Sequence, residues 1–165
     1  MNTASLLAGY DLHNLTVGVL GGHSALDVTH GAKQLGFKTL AVARKGREKT
    51  YDKYYRTKGD KGCIDEVIIV NDFQEILLAK HQQKMRDLNT ILVHNRYFWV
   101  YFDDFTQVEE KLNVPIFGSR TLLKLEERDQ EYNQYDLLND AGIRIPKIFK
   151  SAKEIDRLSI VKASE

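Results

Sequence analysis

One cysteine, two prolines and no long apolar run set the first limits on this chain of 165 residues. A lone Cys63 cannot close an intramolecular disulfide, so nothing indicates an oxidising compartment, and multi-cysteine zinc sites are excluded. No apolar stretch approaches the roughly 18 residues that a membrane-spanning helix needs. The start, MNTASLLAGYDLHN, lacks the basic and hydrophobic regions of a secretory signal. The expected location is cytoplasmic. An excess of one charge sign is missing too, since 24 basic and 23 acidic residues leave +1. That balance gives no electrostatic case for a nucleic-acid or membrane-surface partner. The histidines at positions 13, 23, 30, 81 and 94 show no metal-ligand spacing. No nucleophile–base set can be read from residue order, so no catalytic residue and no metal ligand is assigned.

What is present is an alternation of strands and helices. Leu15 to Leu20 is a short apolar run rich in β-branched residues, the pattern of a strand buried on both faces. Gly21-Gly22-His23-Ser24 interrupts it, and Ala25 to Leu35 reads as a helix ending at Gly36. Phe37 to Ala43 is the next strand, which completes a βαβ unit over a parallel sheet. Arg44 to Gly62 reads as a polar, tyrosine-rich loop. Strands at Val67–Val70, Thr90–Val93 and Val114–Phe117 follow, with helices expected over Gln74–Leu88 and Asp104–Leu112. A short helix is expected at Thr3–Tyr10. The fold class is therefore α/β, an open and mostly parallel, Rossmann-like sheet with flanking helices.

After Gly118 the character changes. Arg120 to Ala141 has a charged, amphipathic helical pattern closed by Gly142. An extended stretch surrounds Pro146, then a short helix is expected at Ser151–Arg157 with Ser151 as N-cap and a strand at Leu158–Lys162. The expected domains are 1–118 and 119–165. A chain stopping three residues after a buried strand reads as a piece of a longer protein.

In open α/β sheets ligands bind at the carboxyl ends of the strands, which directs attention to three strand ends. The Gly21-Gly22-His23-Ser24 turn allows close backbone approach, and a helix N-terminus beyond it offers free N–H groups to an anion. The glycines at 18, 21 and 22 fit neither the dinucleotide nor the P-loop spacing, so a structural turn and a phosphate site remain alternatives. Arg44-Lys45-Gly46-Arg47 brings cations to the same edge, either as a solvated loop or as phosphate ligands. His94-Asn95-Arg96-Tyr97 reaches it from the fourth strand. The aromatic run Tyr97–Phe102 is either core or a subunit interface in a homo-oligomer, or a stacking platform for a base. Glu126, Glu127, Asp129 and Glu131 read as a solvated helix face, with a metal site as the alternative.

Taken together, LTVGVLGGHSALDVTHGAKQLGFKTLAVARKGREKTY, then VPIFGSRTLL, LLNDAGIRIPKIFKSAKEID and SIVK resemble, in order and over nearly the whole chain, the N-terminal part of the archaeal PurP family. That family comprises formate-dependent ATP-grasp ligases that make FAICAR from AICAR, formate and ATP in purine (IMP) synthesis. The resemblance implies a pre-ATP-grasp domain that helps to bind the substrate nucleotide, a linking helix, and the start of an ATP-grasp domain. It places the family's AICAR-contacting histidine on His23, and the lysine that usually meets a nucleotide phosphate on Lys162. Gly22, Ser24, Arg47, Arg96 and Tyr97 are the further candidates for holding a purine ribonucleotide. Arg47 and Arg96 rest on strand-end placement alone. ATP and magnesium are expected for the parent enzyme, with their sites incomplete here and this segment inactive alone. Where the family shows P-H-G-S-F, this chain has His94-Asn95-Arg96-Tyr97-Phe98, and Asp136 stands where a lysine is common. These departures imply a divergent paralogue, or a non-catalytic nucleotide-binding or assembly module.

Overall fold

The computed structural model describes residues 3–102, 104–120, 124–125 and 130–161. The chain divides into two compact units, Met1–Leu123 and Lys124–Glu165.

The first unit is built on a sheet of five parallel strands in the order β3-β2-β1-β4-β5, where β1 is Thr16–Leu20, β2 Lys38–Arg44, β3 Glu66–Val70, β4 Thr90–Val93 and β5 Ile116–Phe117. β1 pairs with β2 from Thr16↔Lys38 to Leu20↔Val42, and with β4 from Thr16↔Thr90 to Gly18↔Leu92. The chain runs outward from β1 through β2 to β3, then crosses back to place β4 on the other side of β1. That reversal makes the gap above β1 and β4 the topological switch point of the sheet. Gly18 allows the central pairing. A Cβ there would lie 2.5 Å from the Thr90 methyl, so this glycine serves strand packing and not a phosphate turn.

Successive residues of β2 point to opposite faces, and each face has its own core. Leu40 and Val42 join Leu20, Ile68, Val70 and Leu92 on one side. There they meet Phe73 and Ile76 of the 3-10 turn Phe73–Leu77, Met85 of α3 (Ala79–Asp87), Phe98 of α4 (Tyr97–Val100) and Val108 of α5 (Thr106–Lys111). Each fully buried side chain of this size contributes about 1.5–3 kcal/mol. Ala41 and Ala43 face the other way, and their small side chains let α2 (Ala25–Gln34) and Tyr51 come close to the sheet. A short α1 spans Thr3–Leu6.

Two segments differ from their sequence reading here. The helix expected over Gln74–Leu88 is split at Leu78, whose extended backbone (ψ 136) separates the 3-10 turn from α3. The loop after β2 is not simply solvated. It holds a π-helical turn at Thr50–Tyr54 that buries Tyr51, and a small pairing of Tyr55–Thr57 with Cys63–Ile64.

In the second unit the long linking helix expected over 120–141 is reduced, among the described residues, to α6 (Gln134–Asp140). Asn133 is extended (φ −129) and starts the helix afresh: its side chain accepts from the Tyr135 N–H at 2.9 Å, and Asp136 accepts from the Asn133 N–H at 3.0 Å. This capping box competes with helix continuation from the N-terminal side. It also gives Asp136 a local structural role. No residue of α6 is buried. A 3-10 turn at Ala152–Glu154 stands where a short helix was expected, after Ser151. Residues 158–161 form no strand, and Leu158, Ile160 and Val161 are exposed, because no other strand pairs with them among the described residues. Lys162 and the carboxylates Glu126, Glu127 and Asp129 lie outside the described residues. No helix among the described residues is long and apolar enough to cross a membrane.

Candidate functional site

A cleft of ≈ 730 Å³ opens at the carboxyl ends of β1 and β2, beside the switch point. Its floor is the turn that follows β1. The Gly21 N–H continues the ladder to the Val42 carbonyl at 2.7 Å, and the Ala25 N–H closes the turn onto the Gly22 carbonyl at 3.1 Å. Between them the N–H groups of Gly22, His23 and Ser24 donate to nothing among the described residues. Ser24 is held left-handed at φ 60, an uncommon state for a residue with a side chain. Its hydroxyl makes no cap bond, although it stands at the N-cap of α2. The turn thus presents free donors at the positive end of a ten-residue helix, the arrangement that receives anions.

Two close approaches fix the walls. A Cβ on Gly21 would fall 2.7 Å from the Tyr51 ring, and one on Gly22 would run into the Tyr97 ring. Both glycines are therefore required by flanking tyrosines. Tyr97 is set by Asn95, whose side chain donates to the Leu20 carbonyl at 2.8 Å and accepts from the Tyr97 N–H at 3.1 Å. Its ring packs against Phe73 (5.4 Å between centroids) and Tyr101 (4.8 Å), with the His23 ring edge-on at 6.2 Å. The Arg44 guanidinium covers the Tyr101 ring at 5.2 Å. The aromatic run is accordingly core and cleft wall at once. Phe98 and Phe102 stack in the core, while Tyr97 lines the cleft.

Charge in the cleft is weighted to the positive. Arg47 and Lys49 line it from the β2 loop, against the one lining carboxylate among the described residues, Asp27 in the first turn of α2. Tyr51 is 7% exposed and also lines it. Burial pushes the Tyr51 phenol up and the neighbouring Tyr97 adds to this, while Arg47 opposes it.

Of the residues selected from sequence, Gly22, His23, Ser24, Arg47 and Tyr97 come together here. Arg96 does not line the cleft; it is exposed at the start of α4, where its carbonyl accepts from the Val100 N–H. Tyr51 and Asn95 were missed. Asn95 followed a strand end and was legible as a turn residue, whereas nothing in RKGREKTYDKYYR marks which tyrosine is buried. No group of His, Cys, Asp and Glu able to hold a metal occurs among the described residues.

Comparison with known proteins identifies the family and the fold. Residues 17–149 match the family model described as a protein of unknown function (DUF1246). Over 158 residues the chain is 40% identical to 5-formaminoimidazole-4-carboxamide-1-(beta)-D-ribofuranosyl 5'-monophosphate synthetase of Methanobrevibacter smithii, covering 95% of this chain and 40% of that protein. The synthetase of the same name from Methanopyrus kandleri is 38% identical, with 95% and 41% covered. The chain thus spans about 40% of the length of these curated relatives. Among solved structures, an IMP biosynthesis protein PurP from Thermococcus kodakaraensis shares the fold, with a TM-score of 0.57 and 23% identity over 85% of this chain and 41% of that one. The chain belongs to the DUF1246 family.

Proposed function

We propose that this chain is the substrate-nucleotide-binding part of an ATP-dependent ligase that forms FAICAR from AICAR and formate in IMP synthesis. The observation that carries the reading is the convergence, at one cleft, of three free turn amides, the N-terminus of α2, and Arg47. Such a set binds a phosphate monoester through backbone donors and a bidentate guanidinium. In this reading His23, at the rim, and Tyr97, in the wall, hold the sugar or base. The names of the relatives, which specify a ribofuranosyl 5'-monophosphate, support the same ligand class. The start of an ATP-grasp domain in residues 119–165 is part of the proposal. ATP and magnesium are proposed for the intact parent enzyme, with Lys162 as this chain's residue toward a nucleotide phosphate; no group able to hold a metal occurs among the described residues. The chain by itself should therefore bind and not turn over.

A second reading follows from Tyr97. A phenol ring lies on Gly22 where the PurP pattern has the small serine. A divergent nucleotide-binding module without ligase activity would show the same wall.

Calorimetry with AICAR separates the readings. The ligase reading expects binding that weakens about 10-fold in His23→Ala, the effect of one lost hydrogen bond to a ligand. Binding of other purine mononucleotides with no preference for AICAR would favour the divergent module. If no purine ribonucleotide binds and His23→Ala changes nothing, the substrate assignment is wrong.

A further inference from the structure

We propose that the Tyr51 hydroxyl is a ligand-binding donor of this cleft, one that meets the anionic phosphate of the bound nucleotide. The proposal rests on the nucleotide reading of the cleft and deepens it.

The argument begins with an oddity of the loop after β2. A π-helical turn at Thr50–Tyr54 is a rare conformation, and such turns concentrate at functional sites. Here it carries one tyrosine inward while Tyr54 and Tyr55 stay exposed. The Tyr51 ring lies so close to Gly21 that only a glycine fits, and it shares the α2-side core with Ala41, Ala43, Cys63 and Ile64. Packing alone would be served as well by phenylalanine. A buried phenol usually finds a hydrogen-bond partner. The Tyr51 hydroxyl has none among the described residues, and it is not among the sealed, unpartnered oxygens either, so its remaining access is to the cleft that the residue lines.

What it would meet there follows from its neighbours. Arg47 acts on the phenol electrostatically, and the free amides of Gly22, His23 and Ser24 belong to the turn whose Gly21 lies against its ring. These are the cationic and donor-rich parts of the cleft. A neutral O–H among them can donate to a phosphate oxygen and cannot repel it. Burial and Tyr97 favour the protonated phenol, so the donor persists at neutral pH.

Tyr51→Phe removes the one oxygen and leaves the ring under Gly21. Three probes are titrated against the full chain and this variant: AICAR (the 5'-monophosphate), its nucleoside, and inorganic phosphate. The expected result is about 10-fold weaker binding of the monophosphate and of phosphate, roughly what a hydrogen bond to a charged group contributes, with nucleoside affinity unchanged. The melting temperature should stay within about 2 °C, in keeping with a change that opens no cavity in the core. Equal weakening for nucleotide and nucleoside would overturn the proposal, because the hydroxyl would then meet sugar or base. Unchanged affinity for all three would overturn it as well. If the wild type binds inorganic phosphate and no AICAR, and the variant loses the phosphate, the donor role stands while the substrate reading falls. If the wild type binds none of the three, both fall.

Discussion

The sheet has a cleft at each end, and the two differ in what they leave unbonded more than in size. At the amino ends of the strands a cleft of ≈ 840 Å³ is lined by Lys33, Asp65, Arg86 and Asn89, among others. Each of these four is engaged, whereas the side chains of Lys38 and Glu66, which also line it, have no partner among the described residues. Lys33 meets Asp65 at 2.9 Å, and Asp65 also accepts from the Thr39 N–H at 2.9 Å. Arg86 donates to the carbonyls of Leu6, Ala8 and Asn113, and covers the Tyr10 ring at 5.0 Å. Asn89, left-handed at φ 57, ties Asp11 and Asn14 to the sheet. At the carboxyl ends the cleft of ≈ 730 Å³ instead keeps three amides and the Ser24 and Tyr51 hydroxyls without partners among the described residues. Water can meet the exposed donors of His23 and Ser24 in the free protein, and their clustering with the Tyr51 hydroxyl at one end is what the proposed anion site rests on.

The sharpest way to break the comparison is Gly22→Ala. The new methyl runs into the Tyr97 ring, which Phe73 and Tyr101 hold in place. Overpacking of this kind costs about 1–3 kcal/mol, and the displaced ring would obstruct the carboxyl-end cleft. Thermal melting should show the loss, and nucleotide binding should fall below detection. Adding Tyr97→Ser should recover most of the stability. If the double variant stays as unstable as the single, the collision is not the reason that Gly22 is needed.

The same substitution at the two ends sharpens the comparison further. Arg86→Met keeps the aliphatic stem and removes three bonds to carbonyls, two that hold the N-terminal segment (Leu6 and Ala8) and one to Asn113 ahead of β5. A stability loss of about 2 kcal/mol is expected, with nucleotide affinity unchanged. Arg47→Met should do the reverse. Affinity for a phosphate-bearing ligand should drop about 10-fold, and less at high salt, while chemical denaturation should shift by under about 0.5 kcal/mol. Equal effects of both variants on folding would erase the distinction between a structural and a functional end.

The alternation of strands with helices was legible because buried parallel strands read as apolar runs, and each of the five appears where such a run stands. The glycine turn and Arg47 were legible by position, since the topology brings strand ends to one edge. Arg96 stands at the same edge without lining the cleft: residue order gives the edge but not the side on which a side chain emerges. The tyrosine-rich loop misled through composition, because its polar residues conceal one inward tyrosine that packs with Ala41 and Ala43 on the same face of the sheet. The linking helix was overread because amphipathic spacing persists through Asn133, where a local capping box starts α6 anew.

The smallest expected effect concerns acid stability at the amino end. Burial pushes the Asp65 carboxyl up, but the Lys33 ammonium and the Thr39 N–H outweigh it and hold the group below its ordinary 3.8. The folded state therefore binds this proton less readily than the unfolded chain does. Its contribution is complete above about pH 4 and is lost as the pH falls through the lower folded value. Solvent reaches the pair, since the side chains of Lys33 and Asp65 are 32% and 20% exposed, so screening keeps the effect small. Asp65→Asn should lower the melting temperature slightly at pH 7 and flatten its decline between pH 4 and pH 2. The nucleotide affinity at pH 7 should not move, because Asp65 lies at the amino end of the sheet and is already partnered by Lys33 and the Thr39 N–H. A variant that lost affinity there would mean that the two ends communicate through β2, whose Thr39 bonds Asp65 at one end and whose Val42 carbonyl holds Gly21 at the other.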